Sequence, residues 1–282
     1  MAPTSARKST NVRRLFLLRL GISAAEYLAP DRAARVLTRL WFQPPGHRTA
    51  PAPAGAREFH LDTAAGRVWG YDWGDGPLVH LLHGWGGCSG DMRYLAASLV
   101  AAGRRVVVID APGHGHSEDS PYGPGQVSPL HFADALTATV EKFGTGAVAA
   151  HSLGCLGAAL SLRHHVSADR LVLVSPFIGG GEFIGMFARR LGAGRRGSAR
   201  FVAAAEARSG HPVAYFDVRT PPDPTPTLIV HDRDDRATPF AHGEAIAAAW
   251  PNTRLHATSG LGHLRIMRNP EVVGEVVGFL TG

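Results

Sequence analysis

Ser152 occupies a position where a serine hydroxyl could act as a nucleophile. It lies in the pentapeptide Ala150-His-Ser-Leu-Gly154, after a run of small and β-branched residues that predicts a short buried strand. The small, apolar residues that follow predict the start of a tightly packed helix. A serine on such a strand-to-helix turn exposes its hydroxyl at the edge of a sheet, and small neighbours let the two backbones approach closely. Alanine replaces the first glycine usual at this turn, and its single methyl group can be accommodated.

A serine hydroxyl becomes a good nucleophile when a base removes its proton and an acid orients that base. His263 is the candidate base, because it follows a predicted strand and lies in a glycine-rich loop. Three candidate acids follow another predicted strand: Asp232, Asp234 and Asp235. These residue types together indicate nucleophilic attack on a carbonyl carbon.

Several other histidines are better explained by structure than by chemistry. We expect His83 and His151 to shape loops, and His231 to be packed or hydrogen-bonded at a strand end. His164 and His165 are interpreted as a solvated helix end, because no third metal ligand is apparent. No Walker-type phosphate loop, H-E-x-x-H pair or dinucleotide-binding G-x-G-x-x-G follows a strand, so we expect no cofactor and no metal.

Alternating strands and helices must position these groups. The predicted strands are 78–82, 105–110, 146–151, 170–175, 226–231 and 253–258, and the predicted helices are 89–102, 129–143, 153–164, 240–250 and 270–280. This alternation predicts an α/β fold with a mostly parallel central sheet and helices on both faces. Two earlier segments, 57–61 and 68–73, predict antiparallel edge strands joined by a turn near Gly66.

Two segments lie outside this alternation. Residues 12–41 predict one or two amphipathic helices, broken near Gly21 and near Pro30, and a proline-rich linker follows them. Residues 178–222, rich in glycine and arginine, predict a small cap insertion over the sheet. The predicted domains are an N-terminal helical extension with its linker, 1–56, and a catalytic domain containing the cap, 57–282.

Five ordered motifs resemble those of the α/β-hydrolase-fold family. They are H-G-x-x-G at 83–87, D-x-P-G-x-G-x-S at 110–117, A-H-S-L-G at 150–154, D-x-x-x-P at 235–239 and G-H at 262–263. The resemblance covers residues 57–282 and keeps the family's order of serine, acid and histidine. It implies the α/β-hydrolase fold, with a cap that covers the nucleophile.

The resemblance also implies roles for individual residues. In the family pattern the acid precedes a short stretch ending in a proline that opens the next helix, which favours Asp235, ahead of Pro239, over Asp234. The oxyanion donors implied are the backbone N–H groups of Leu153, directly after the nucleophile, and of Trp85 in the H-G-x-x-G loop.

Aromatic and basic residues suggest how a substrate is held. The Trp85 indole either lines an acyl pocket or merely packs. Phe183, Met186 and Phe187 have helical spacing and are predicted to face an apolar acyl group. Five arginines would then surround the entrance and favour an anionic substrate, or they form a solvated face: Arg189, Arg190, Arg195, Arg196 and Arg200.

The predicted function is that of a cofactor-independent serine hydrolase that cleaves a carboxylic ester or thioester through an acyl-enzyme on Ser152. An acyltransferase, cyclase or lyase on the same scaffold is the alternative, because one fold hosts many chemistries. A non-catalytic binding protein is disfavoured, because a pure binder has no use for all three groups. The oligomeric state stays open.

Charge is concentrated at the N-terminus. Residues 1–48 hold nine Arg or Lys against Glu26 and Asp31, a net charge of +7, whereas the whole chain carries +6. No nucleic-acid-binding motif accompanies this charge, so we expect no nucleic-acid partner. Residues 1–43 suit either docking on the domain, which we favour, or peripheral contact with anionic lipid.

The two cysteines lack metal spacing and are expected to be reduced thiols in a cytoplasmic protein.

Overall fold

The computed structural model describes the backbone of residues 5–222 and 224–282, and their side chains except those of 5–15 and 182. Within these residues the chain divides into two compact units. A helical unit joins the N-terminal segment up to Gln43 with Gly179–Phe216, and a sheet unit joins Pro44–Ile178 with Asp217–Gly282.

The sheet unit is built on one mixed sheet. Its described strands are β1 (Arg57–Thr63), β2 (Gly66–Trp73), β3 (Leu78–Leu82), β4 (Arg105–Ile109), β5 (Ala147–His151), β6 (Leu171–Val174), β7 (Thr227–Asp232) and β8 (Thr253–Thr258), in the spatial order β1-β2-β4-β3-β5-β6-β7-β8. Strands β3 to β8 pair in parallel, while β2 is antiparallel to both β1 and β4. The predicted mostly parallel sheet is thus confirmed.

The helices of the sheet unit follow the predicted alternation. They are α3 (Arg93–Ala101), α4 (Pro129–Phe143), α5 (Leu153–His164), α8 (Phe240–Ala249), α9 (Gly262–Arg265) and α10 (Pro270–Thr281), with short 3₁₀ turns at Ser89–Met92 and Ile266–Arg268. The predicted helix 89–102 therefore begins as a 3₁₀ turn. Buried apolar side chains of the parallel strands form the core, as expected for strands covered on both faces.

Two predictions about element position were wrong. Strand β2 is not at an edge, because its residues from Gly70 to Trp73 pair with β4. The first helix is not broken near Gly21 but continues to Leu28.

The helical unit contains α1 (Ser5–Leu28), α2 (Pro30–Trp41), α6 (Gly180–Arg190) and α7 (Arg195–Ser209), followed by a 3₁₀ turn at Val213–Phe216. An aromatic cluster lies at its centre, where the Trp41 ring contacts those of Phe183, Phe187 and Phe201 at centroid distances of 5.7, 5.1 and 6.0 Å. Among the described residues, no helix is both long and apolar enough to cross a membrane.

The end of β3 and the start of α5 approach each other closely in the sheet unit. A Cβ atom on Gly154 would collide with the carbonyl oxygen of His83 and lie 2.8 Å from that of Leu82. Backbone atoms cannot yield as a flexible side chain can, so only glycine fits at this position.

We therefore expect Gly154→Ala to lower the free energy of unfolding by about 1–3 kcal/mol, the usual cost of overpacking a core. The matched control is Gly274→Ala in α10, where an added Cβ would meet nothing within 4 Å. That change should be neutral or stabilising by up to about 1 kcal/mol, because alanine favours helix. Urea unfolding of both variants checks the pair, and equal stability would contradict the close-approach argument.

Candidate functional site

Ser152 lies at the turn between β5 and α5, as its flanking residues predicted. Its backbone has φ 53° and ψ −119°, a left-handed conformation that costs a non-glycine residue about 1–3 kcal/mol. The Ser152 N–H donates to the carbonyl oxygen of Val174 at 2.9 Å, which ties the turn to β6. The strained turn is thus held by the neighbouring strand.

A chain of hydrogen bonds joins three of the predicted site residues. His263 Nε2 lies 2.9 Å from Ser152 Oγ, and His263 Nδ1 lies 2.7 Å from Asp235 Oδ2. A neutral imidazole has one N–H donor and one acceptor nitrogen. With Nδ1–H donating to the carboxylate, the Nε2 lone pair faces the serine hydroxyl.

The three candidate acids have different partners. Asp232 Oδ2 accepts from the Thr258 hydroxyl at 2.7 Å and from the Leu261 N–H at 3.0 Å. Asp234 Oδ2 accepts from the Gly260 N–H at 2.8 Å. Both of these carboxylates support the loop before His263, whereas the imidazole itself is contacted by Asp235.

Asp235 is surrounded by donors. Its Oδ1 accepts from the N–H groups of Ala237 and Thr238 at 2.8 and 3.0 Å, and its Oδ2 also accepts from the Thr238 hydroxyl at 3.0 Å. Burial by itself raises the pKa of this carboxyl, but hydrogen bonds from His231, His263 and Thr238 outweigh burial and hold the pKa well below its usual range. Asp235 is therefore an anion across the neutral range.

Thr238 and His231 are supporting residues that sequence reasoning did not identify as part of the site. The Thr238 hydroxyl lies 3.3 Å from His263 Nδ1 and 3.3 Å from the carbonyl oxygen of Ser175. His231 is fully buried, and its Nε2 lies 3.1 Å from the Thr238 carbonyl oxygen and 3.6 Å from Asp235 Oδ2. An aspartate three residues before a threonine is a turn-forming pattern that could have indicated the first of these contacts.

The glycine-rich loop after β3 passes directly beside Ser152. A Cβ atom on Gly84 would lie 2.9 Å from Ser152 Cβ and 3.1 Å from His151 Nδ1. Leu153, the first residue of α5, has an N–H that no carbonyl within the helix can accept. Trp85 follows Gly84 in this loop, so both predicted oxyanion donors belong to segments that flank the serine.

Neutral histidines fix this loop. His83 Nδ1–H donates to the carbonyl oxygen of Gly84 at 2.7 Å, and its Nε2 accepts from the Ala111 N–H at 3.0 Å. His114 Nε2 accepts from the Gly86 N–H at 3.0 Å. A protonated ring could accept neither of these backbone N–H groups, so the loop geometry requires both rings to be uncharged.

Phe183 and Phe187, the predicted acyl-contacting residues, lie on α6 in the helical unit. Their rings pack against Trp41 there. Of the predicted entrance arginines, Arg200 forms an ion pair with Asp31 at 2.7 Å within the same unit. Their roles toward substrate stay predictions.

The family model of the alpha/beta hydrolase family matches residues 81–276, which is most of the chain. The chain therefore belongs to the alpha/beta hydrolase family, and the family resemblance predicted from the five motifs is confirmed. No curated protein matches the chain significantly.

Solved structures support the same fold. An esterase from Pyrococcus furiosus has a TM-score of 0.64 and 18% identity, over 84% of this chain and 98% of that one. A thermophilic esterase from Thermogutta terrifontis has a TM-score of 0.57 and 20% identity, covering 79% and 97%. A thioesterase domain from the curacin biosynthetic pathway has a TM-score of 0.59 and 17% identity, covering 80% and 99%. At these identities the likeness establishes the fold.

The buried histidines make stability depend on pH. Burial lowers the pKa of His83 to about 4, of His114 to about 3 and of His151 to about 4. Since the unfolded value is about 6.5, the unfolded chain binds more protons below that pH, and stability is lost as pH falls from about 6.5 toward 4. Each histidine should contribute a slope of about 1.4 kcal/mol per pH unit inside this window.

We expect His151→Gln to reduce the slope of unfolding free energy against pH by about that amount between pH 6 and 5. Glutamine can still donate to the His263 carbonyl oxygen, which His151 Nε2 contacts at 3.0 Å. His60→Gln, on an exposed position of β1, is the matched control and should keep the wild-type slope. Urea titrations at several pH values measure it, and an unchanged slope in His151→Gln would show that this ring is not held neutral.

Proposed function

We propose that this protein is a cofactor-independent serine hydrolase that cleaves a carboxylic ester or thioester through an acyl-enzyme on Ser152. The observation that carries the proposal is the hydrogen-bonded chain from Ser152 Oγ through His263 to Asp235, with heavy-atom distances of 2.9 and 2.7 Å. Each group has the chemistry its place requires: a hydroxyl, a base with its lone pair toward that hydroxyl, and an anion behind the base.

Acylation begins when Ser152 Oγ attacks the carbonyl carbon of the substrate and its proton passes to His263 Nε2. The imidazolium that forms is stabilised by the Asp235 anion, which does not itself take up the proton. As the tetrahedral intermediate collapses, its bond to the leaving oxygen or sulfur breaks, and His263 returns the proton to the leaving alcohol or thiol. Water then repeats the sequence on the acyl-enzyme and releases the carboxylic acid.

The negative charge on the tetrahedral oxygen requires donors already in position. We assign these to the backbone N–H groups of Leu153 and Trp85. The free first-turn amide of α5 supports the first assignment, and the contact of the neighbouring Gly84 with Ser152 supports the second. Removal of one such donor in other hydrolases costs about 10²–10³ in kcat, so this loop is a large part of the proposed mechanism.

The choice of ester or thioester over other acyl compounds is supported by the named activities of three solved neighbours, two esterases and a thioesterase domain. Acyl transfer would use the same acyl-enzyme with an alcohol or amine in place of water. Product analysis with an added alcohol separates the two, because a transferase forms a new ester in preference to free acid. The roles of the Trp85 indole and of Phe183 and Phe187 toward substrate stay predictions. So do a preference for anionic substrates and a cytoplasmic location.

Ser152→Ala should reduce turnover of p-nitrophenyl esters or acyl thioesters to below about a thousandth of the wild-type rate. Alanine removes the nucleophile and little else, so the unfolding transition should stay unchanged. Kinetics and thermal melting on the same preparations check both statements. Substantial residual turnover in a folded Ser152→Ala protein would remove serine chemistry from the proposal.

Asp235→Asn should lower kcat by up to roughly ten-thousand-fold, because an amide favours the wrong histidine tautomer without changing the shape of the site. Asp234→Asn is the matched control, since its side-chain oxygen can still accept from the Gly260 N–H. That variant should stay close to wild type. If Asp234→Asn were the crippled enzyme and Asp235→Asn nearly normal, the acid would be misassigned.

A further inference from the structure

One side of helix α1 is docked within the helical unit. Ile22 is buried, and the Ser23 hydroxyl donates to the carbonyl oxygen of Gly192 at 2.7 Å. The Glu26 carboxylate accepts from the N–H groups of Gly194 and Gly197 at 2.7 and 2.8 Å. These contacts orient α1 by fixing the face that it turns toward the α6–α7 connection.

Beside this docked side, α1 exposes five large apolar side chains, here called the apolar face: Phe16, Leu17, Leu20, Tyr27 and Leu28. Each exposes more than half of its surface, and Leu17, Leu20 and Leu28 expose 65%, 52% and 86%. By helical spacing Leu17, Leu20 and Leu28 lie on the side away from Ile22 and Glu26, whereas Phe16 and Tyr27 lie nearer to Ser23. The five positions extend over about 18 Å of the helix. Single exposed apolar residues are ordinary, but five large ones on one helix mark an interaction surface.

The charge on α1 indicates what covers the apolar face. The helix carries five basic residues (Arg7, Lys8, Arg13, Arg14 and Arg19) against the single acid Glu26, whose carboxylate is already engaged by two backbone amides. A second copy of the chain would bring the same positive charge to the contact and be repelled. An anionic lipid surface offers both an apolar layer for the leucines and phosphates for the arginines.

We propose that α1 is a peripheral membrane anchor, which lies in the plane of an anionic bilayer with its apolar face among the upper acyl chains. The docked side, held through Ile22, Ser23 and Glu26, stays attached to the helical unit during binding. The anchor is independent of the chemistry at Ser152, and it would hold the protein at a lipid surface.

The test is co-sedimentation of the full-length chain with vesicles of phosphatidylcholine alone or mixed with phosphatidylglycerol. The wild type should bind the mixed vesicles, and high salt should weaken binding because it screens the arginines. The triple variant L17Q/L20Q/L28Q keeps charge and helix propensity, and it should lower partitioning at least about tenfold. The matched control, V36Q/M186Q, changes exposed apolar residues on α2 and α6 and should bind like the wild type.

Absence of wild-type binding to the mixed vesicles at low salt would overturn the proposal, as would unchanged binding of the triple variant. Light scattering supplies a further outcome: a wild-type dimer that L17Q/L20Q/L28Q converts to a monomer would assign the apolar face to a second copy. Circular dichroism verifies folding. If the triple variant does not fold, R13Q/R14Q/R19Q retains the apolar face and should lose affinity for mixed vesicles, whereas its unchanged binding would contradict the anchor.

Discussion

The close approach of two backbone turns, one after β3 and one after β5, is the constraint on which the site depends. Gly84 and Gly154 lie where any side chain would meet Ser152 or the carbonyl oxygens of Leu82 and His83. This proximity brings the glycine-rich loop beside Ser152, at the start of α5. The strained backbone of Ser152, at φ 53°, is part of the same turn and is retained because β6 holds its N–H.

The residues that support the site differ in charge, because the aspartate is held as an anion and two histidines are held neutral. Asp235 is kept anionic by backbone and hydroxyl donors, even though its side chain is removed from water. His83 and His114 are kept neutral by burial, so that their acceptor nitrogens hold the backbone of the glycine-rich loop. Asp235 thus remains an anion next to His263, and the histidines that hold the loop remain neutral. His263, whose Nε2 lies 2.9 Å from Ser152 Oγ, is then the group placed to exchange a proton with that hydroxyl.

Much of the fold was predictable because its signals are local. Apolar runs such as 105–110 predict buried strands wherever both faces of a sheet are covered. The position of β2 inside the sheet was not predictable, because strand order depends on pairings between distant segments. Gly21 did not break α1, since tertiary contacts of Ile22 and Glu26 override the weak helix propensity of glycine.

In the site, too, local motifs were predictable and contacts that depend on tertiary folding were not. Ser152, His263 and the aspartate-rich loop were found from motifs, whereas the support that Thr238 and His231 give to Asp235 depends on how one loop folds back on itself. Helical spacing showed that Phe183 and Phe187 share a face but could not identify Trp41 as their neighbour. Periodicity indicates which residues are buried together, not what they contact.

The proposed activation of Ser152 is tested most directly by mass spectrometry of the protein after reaction with a fluorophosphonate. The hydrogen-bonded chain predicts one adduct, on the peptide that contains Ser152, and His263→Ala should form it far more slowly because the hydroxyl proton then has no acceptor. A protein that turns over esters while Ser152 stays unmodified, or one labelled at a different serine, would contradict the assignment of Ser152 as the nucleophile.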